Sequence, residues 1–299
     1  MKEKSQFEKN AADKQVELLS EALNGAVSAG GHWLNATGKG YPKFYPKGVA
    51  VSPFNALFMA LHSDKTGSKT NLFTLYSEAK ARGESAREHE KGVPFLFYNW
   101  NKYVNRNNPN DIISRNDYQQ LPPEERNRYK GIHNREIRTL FTIDQTLLPL
   151  VDKNVYETLV QKHGNSVEQG FGEKELRELR PRFNAFVQAI SKNMVPVRTD
   201  GSGVAHYDSQ KDAVYIPRQK DFEHYTDYAQ ETLRQIIAAT GHQQRLAREG
   251  MVMKNGVPPT EDAVKQEHLI SEIASGIKML EMGLPARLSD ENIKMVDYW

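Results

Sequence analysis

A chain with nine histidines and no cysteine would have to build any metal centre from imidazole and carboxylate. Two histidines four residues apart share one face of a helix and can hold an ion between them. No histidine pair in this sequence has that spacing. His268 and Glu272 do stand four apart, with His242 as a third group; the plainer reading makes His268 a solvent-facing helix residue. His89-Glu90 begins like H-E-x-x-H, but Val93 takes the second histidine's place and the match is accidental.

A second chemistry lies in the stretch from His32 to His62. Lys39, Lys43 and Lys47 are interleaved with Trp33, Tyr41, Phe44 and Tyr45, among Gly38, Gly40, Pro42 and Pro46. Aromatic faces stack on bases while lysines neutralise phosphates, so this mixture suits a single nucleic-acid strand. The competing reading is an irregular loop whose aromatics pack on the core with lysines in water. Arg87 and Lys91 add charge in a turn just before Val93–Tyr103, a strand with aromatics on both faces. Either that strand is covered on both sides, or Tyr98 and Trp100 stand out as stacking platforms.

The positioning elements follow from hydrophobic periodicity. Residues 2–27 read as a helix ended by Gly30-Gly31. Ser52-Pro53 opens a second, with Phe54, Leu57, Phe58 and Leu61 as its buried stripe. Leu72–Tyr76 is a short strand, and Ser77 caps a helix reaching Gly83. Residues 105–134 read as a polar surface insertion before a strand at Ile137–Ile143. Pro181 opens a helix around Phe183, Phe186 and Ile190, and Ala205–Tyr207 with Ala213–Ile216 forms a hairpin after an edge strand at Val195–Arg198. Tyr225, Tyr228, Ala229, Leu233, Ile236 and Ile237 give the helix after it one apolar face, closed by Gly241 in the left-handed conformation. Thr260 caps another helix, ended by Gly283 and Pro285, in which Glu272 lies roughly 60° from the core residue Leu269. Ser289 caps a last short one.

With 299 residues, 38% hydrophobic and 26% charged, the chain has the size of two domains that bury real cores. The N-terminal sequence shows no apolar signal segment and no run spans a bilayer, which with zero cysteines suggests a cytoplasmic protein without a membrane partner. Net charge is +2. Residues 1–150 hold 21 Lys and Arg against 16 Asp and Glu, while 151–299 hold 19 against 22. The basic half permits a polyanion without demanding one.

Two groups of motifs bear a family resemblance. In the first half these are Tyr45-Pro46-Lys47-Gly48, Pro53–Leu57, Phe73-Thr74, Glu90–Pro94 and Leu140–Thr146. In order and spacing they resemble the N-terminal domain of ArdC-type antirestriction proteins, a family of conjugative and other mobile elements. In the second half His206-Tyr207, Ile216-Pro217, Tyr225, Thr232-Leu233, Thr240–His242, Arg245-Leu246, Glu267, Leu269 and Glu272 are similar to the zincin-like peptidase domain that follows it in that family.

The resemblance implies an α+β fold in two domains: residues 1–149 binding single-stranded DNA, and a mostly helical zincin-like unit at 150–299 with a small sheet. The resemblance supports the domain and not each side chain; residue type points to phosphate contacts from Lys39, Lys43, Lys47, Arg87 and Lys91, and to stacking by Tyr41, Tyr45, Tyr98 and Trp100. The resemblance also places Arg234 and Ala238 where the family carries its zinc-binding histidines, Gln235 at the general base and Glu272 at the retained third ligand. One carboxylate cannot hold zinc and an amide cannot take a proton, so neither a catalytic residue nor a cofactor is expected. An Arg234–Glu272 bridge in the metal's place would explain the exchange. The alternatives are a zinc peptidase with ligands drawn from His206, His242, His268 and Glu272, and a module that holds a protein partner in the inert cleft.

Overall fold

The computed structural model describes residues 6–34, 39–164, 173–201, 203–253 and 256–299. Its first half runs α1 (Gln6–Ser28), β1 (His32–Leu34), β2 (Lys43–Phe44), β3 (Val49–Ala50), α2 (Pro53–Lys65), β4 (Leu72–Leu75), α3 (Tyr76–Ala81), β5 (Val93–Asn105), β6 (Ile112–Ser114), α4 (Arg115–Gln120), α5 (Pro123–Arg126) and β7 (Tyr129–Thr142). Six of these strands form one sheet in the order β3-β2-β4-β7-β5-β6. Its backbone is the β5–β7 hairpin, paired from Val93↔Leu140 out to Asn105↔Tyr129 with a bulge between Asn99 and Lys102. At its root Val93, Phe95 and Leu140 are buried together with the apolar run of α2.

Strand β7 starts eight residues before the expected Ile137. Residues 129–134 have no apolar alternation, because this part of the ribbon has little core to face. Phe54 is 47% exposed, against expectation; it packs edge-on to Phe58 at 5.1 Å instead of joining the stripe. Ser52 makes no side-chain cap to α2 and instead accepts from Asn55 Nδ2 at 2.8 Å. That Asn55 is buried because its amide pairs both ways with Leu96, donating to the carbonyl and accepting from the N–H, each at 2.9 Å. A side chain thus completes the open edge of β5 where a strand would otherwise be needed.

The second half runs α6 (Leu148–Val151), α7 (Lys153–His163), α8 (Glu173–Asn193), β8 (Val197–Thr199), β9 (His206–Asp208), β10 (Ala213–Ile216), α9 (Tyr225–Thr240), α10 (Glu261–Met282), β11 (Ala286–Arg287) and α11 (Asp290–Ile293). The hairpin forms as expected, and β8 adds to β10 in parallel. Pro181 lies inside α8 and does not open it; the helix reaches back to Glu173. Thr260 and Ser289 cap their helices, and Gly283 takes the left-handed conformation at φ 75°.

The two halves share a core. One cluster of buried residues runs from Leu18 to Val296, and β1 pairs with β11 across the halves. The Trp33 indole lies against Gly276 of α10, where an added Cβ would sit 2.2 Å from the ring. Ala in a helix interior normally stabilises by up to about 1 kcal/mol over Gly. Here Gly276→Ala is expected to destabilise by about 2 kcal/mol, as overpacking does. A urea midpoint that rises instead would show that Trp33 is not held there.

Candidate functional site

Helices α9 and α10 lie side by side, and a cleft of about 560 Å³ opens between them and β9. Arg234, Gln235 and Ala238 line it from α9, with His206 of β9 and His268 of α10. Glu272 lies within the fold at 0% exposure. The structure therefore brings the four inferred positions together.

The Arg234 guanidinium lies on the Glu272 carboxylate as a two-pronged pair, Nε to Oε2 at 2.8 Å and Nη2 to Oε1 at 3.0 Å. Its Nη1 donates to Glu231 Oε2 at 2.8 Å, and Nη2 also donates to the Arg287 carbonyl. Gln230 Nε2 at 3.1 Å and Asn292 Nδ2 at 2.6 Å complete the donors to Glu272, two per oxygen. Gln235 donates to the other oxygen of Glu231 at 2.8 Å. Burial alone would favour losing the Arg234 proton, but the fields of Glu272 and Glu231 more than offset it and raise its pKa.

Two further arginines hold the end of α9. Arg248 pairs with the buried Glu267 through Nε at 2.8 Å and donates Nη1 to Thr240 Oγ1 at 2.6 Å and Nη2 to the Ile237 carbonyl at 2.7 Å. Arg245 donates Nε to the Ala239 carbonyl at 2.7 Å and pairs with Asp212, whose carboxyl its hydrogen bonds hold down at about 2. Gly241 is consequently right-handed, at φ −77°, and not left-handed as expected. The orphan carbonyls of the helix end are taken up by guanidinium groups, so no glycine turn is required.

A divalent ion does not fit this donor set. Among the described residues no group of three or more His, Cys, Asp or Glu is placed to hold a metal. His206 stacks on Tyr215 with ring centroids 5.0 Å apart, His268 lines the cleft wall, and His242 is absent from its lining.

In the first half the expected strand-binding residues are not assembled into one surface. Lys39 Nζ is 2.9 Å from Asp64 and Tyr41 donates to the Val51 carbonyl at 3.0 Å, with burial pushing its phenol up to about 12. Both side chains thus have partners within the fold. Tyr45 is half-buried beneath the Arg82 guanidinium, 4.9 Å from its ring centre. Arg87 is ion-paired with Glu90 at 2.7 Å. Lys47, Lys91 and Tyr98 are exposed, and Lys43 half-exposed; none of the three lysines has an ion-pair partner among the described residues. The side chain of Trp100 lies outside the described residues. Lys43 and Lys47 belong to the β2–β3 edge and Tyr98 to β5, with β4 and β7 between them.

Sequence reasoning missed the network under the Glu90–Pro94 and Leu140–Thr146 motifs. Gln145 donates to Glu90 at 3.0 Å and the Lys91 carbonyl at 3.1 Å, and its Oε1 lies 3.1 Å from His62 Nε2. Three widely spaced stretches meet there, and only their polar residues inside apolar runs hinted at it.

A family model described as the N-terminal domain of anti-restriction factor ArdC matches residues 9–141, and one described as a zincin-like metallopeptidase matches 181–299. Two crystal structures of the antirestriction ArdC protein from plasmid R388 share its fold. The metal-free one has a TM-score of 0.56 and the Mn(II)-bound one 0.58, each at 19% identity over 94% of this chain and 85% of theirs. No curated protein matches the chain.

Removing one member of a buried ion pair strands the other. Arg234→Met is expected to cost about 3–5 kcal/mol, while adding Glu272→Leu to it should recover a large part of that loss. Urea denaturation of the single and double variants measures both, and a single variant within about 1 kcal/mol of the parent would sink the account.

Proposed function

We propose, from the premise that this is an ArdC-type protein with both domains of that type, that it acts by binding and not by hydrolysis. Its first half binds single-stranded DNA in the service of antirestriction for a mobile element, within the cytoplasm, and its zincin-like half cleaves no peptide. The observation that carries the second statement is the guanidinium of Arg234 seated on Glu272. A cation already neutralises the one carboxylate that would have bound zinc, and a second cation there would be repelled. Gln235, at the general-base position, has an amide with no useful basicity.

The strand-binding statement is supported by the motifs of the first half and by the ammonium groups of Lys43, Lys47 and Lys91, which have no ion-pair partner among the described residues. Tyr98, 56% exposed, offers a face for stacking. Lysine contacts to phosphate release counterions, so affinity falls with salt. A second reading rests on the cleft itself, which stays open at about 560 Å³ beside Val204, Phe222 and Val264 and could hold a segment of a protein partner.

Two measurements test the proposal. Anisotropy with a labelled oligo-dT should give binding that weakens as salt rises, and Lys43→Ala with Lys47→Ala should reduce the slope of log K against log salt by about 1.4, two contacts at roughly 0.7 each. Binding indifferent to salt and to both lysines would overturn the DNA reading. Metal analysis should find no stoichiometric zinc in the parent, while the triple variant R234H/Q235E/A238H, with Glu272 still in place, should take up about one zinc per chain. Stoichiometric zinc in the parent would restore the catalytic reading.

A further inference from the structure

Beyond its bulge, the β5–β7 ribbon leaves the shared core and becomes an arm completed by β6, α4 and α5. Strand register decides which side chains share a face. Lys102 is opposite Ile132 on β7 and Ser114 on β6, and Val104 is opposite Lys130 and Ile112. The pairing continues one step further, since the Arg106 N–H donates to the Arg128 carbonyl at 2.7 Å. Alternation therefore puts Lys102, Arg106, Arg128 and Lys130 on one face, around Val104, Ile112 and Ile132.

All four cations are exposed, and none has an ion-pair partner among the described residues. No carboxylate occupies that face between Lys102 and Arg106 or between Arg128 and Ile132. The opposite face is already covered: Tyr103 lies against Tyr118 of α4, their rings parallel within 4° and 3.8 Å apart. Of the arm's carboxylates, Asp117 is committed to the cap of α4 and Asp111 to Tyr129 and Asn105, while Glu124 and Glu125 stand in the first turn of α5. A three-stranded plate with one side closed by a helix and four unpaired cations on the other is a surface for a polyanion.

We infer that this face binds the phosphate backbone of duplex DNA, so that the protein sits where a single strand meets a double one. The inference rests on the single-strand reading above and adds a second site to it. Among the described residues this face, from Lys102 outward, has cations but no aromatic side chain of the kind that holds unpaired bases by stacking. Backbone neutralisation without base contacts is the way proteins hold a duplex irrespective of sequence.

The test compares an oligo-dT strand, a blunt duplex and a duplex bearing the same oligo-dT tail, by anisotropy at fixed salt. The parent chain should bind the tailed duplex at least tenfold more tightly than the tail alone. The variant K102A/R106A/R128A/K130A, altered only at exposed positions, should lose that gain and its blunt-duplex binding while holding the tail as before. Lysine at 106 and 128 in place of arginine should restore most of the gain. A parent that binds tail and tailed duplex equally, or a quadruple variant that keeps the gain, overturns the inference and leaves the single-strand reading standing. Duplex binding that depends on the four cations with no binding of oligo-dT would do the reverse.

Discussion

A carboxylate with no access to water must be given a counter-charge and a donor for every lone pair, or the fold does not form around it. Glu272 is that group here, and much of the second half can be read as the answer to it. Arg234 supplies the charge, and Gln230 and Asn292 supply the remaining donors from α9 and α11. The same groups reach onward: Arg234 donates to the Arg287 carbonyl, and the Arg287 N–H donates to Gln230 Oε1 at 2.7 Å. Arg287 belongs to β11, which pairs with β1 of the first half. The cluster around Glu272 therefore also fixes the strand that joins the two halves.

The first half solves its own polar problem in the same manner, with amides in place of charges. Asn55 completes the edge of β5, and Gln145 ties the end of β7 to the turn carrying Glu90 and Lys91. Neither side chain is exposed. Their positions within the motifs of the first half are explained by backbone groups that have no other partner. The side chains of Lys39 and Tyr41 are likewise drawn into the fold by hydrogen bonds, whereas those of Lys47 and Lys91 have no ion-pair partner among the described residues.

How far the sequence could be read depended on whether a signal was local. The caps at Thr260, Ser289 and Gly283 are local chemistry, and they stand as expected. The convergence of Arg234, Gln235, Ala238 and Glu272 was legible because helix periodicity and family motifs agreed on those positions. Gly241 failed because its conformation is decided by Arg245 and Arg248, whose reach back to the helix end has no periodic signature. The arm was taken for an insertion because a ribbon with polar residues on both faces shows no alternation. There the information lies in the register, and register is set by pairing partners some twenty-five residues away.

Three arginine–carboxylate pairs hold the walls of the zincin-like cleft. A metal would tie α9 to α10 through ligands on both. Here Arg234 to Glu272 and Arg248 to Glu267 make two such ties, and Arg245 to Asp212 adds a third from the end of α9 to the small sheet. The first two are largely shielded from solvent and the third is partly exposed; in each a guanidinium fork meets a carboxylate, the geometry in which it loses least entropy for the bonds it makes. The walls of the cleft are thus held by groups that do not depend on a bound ligand.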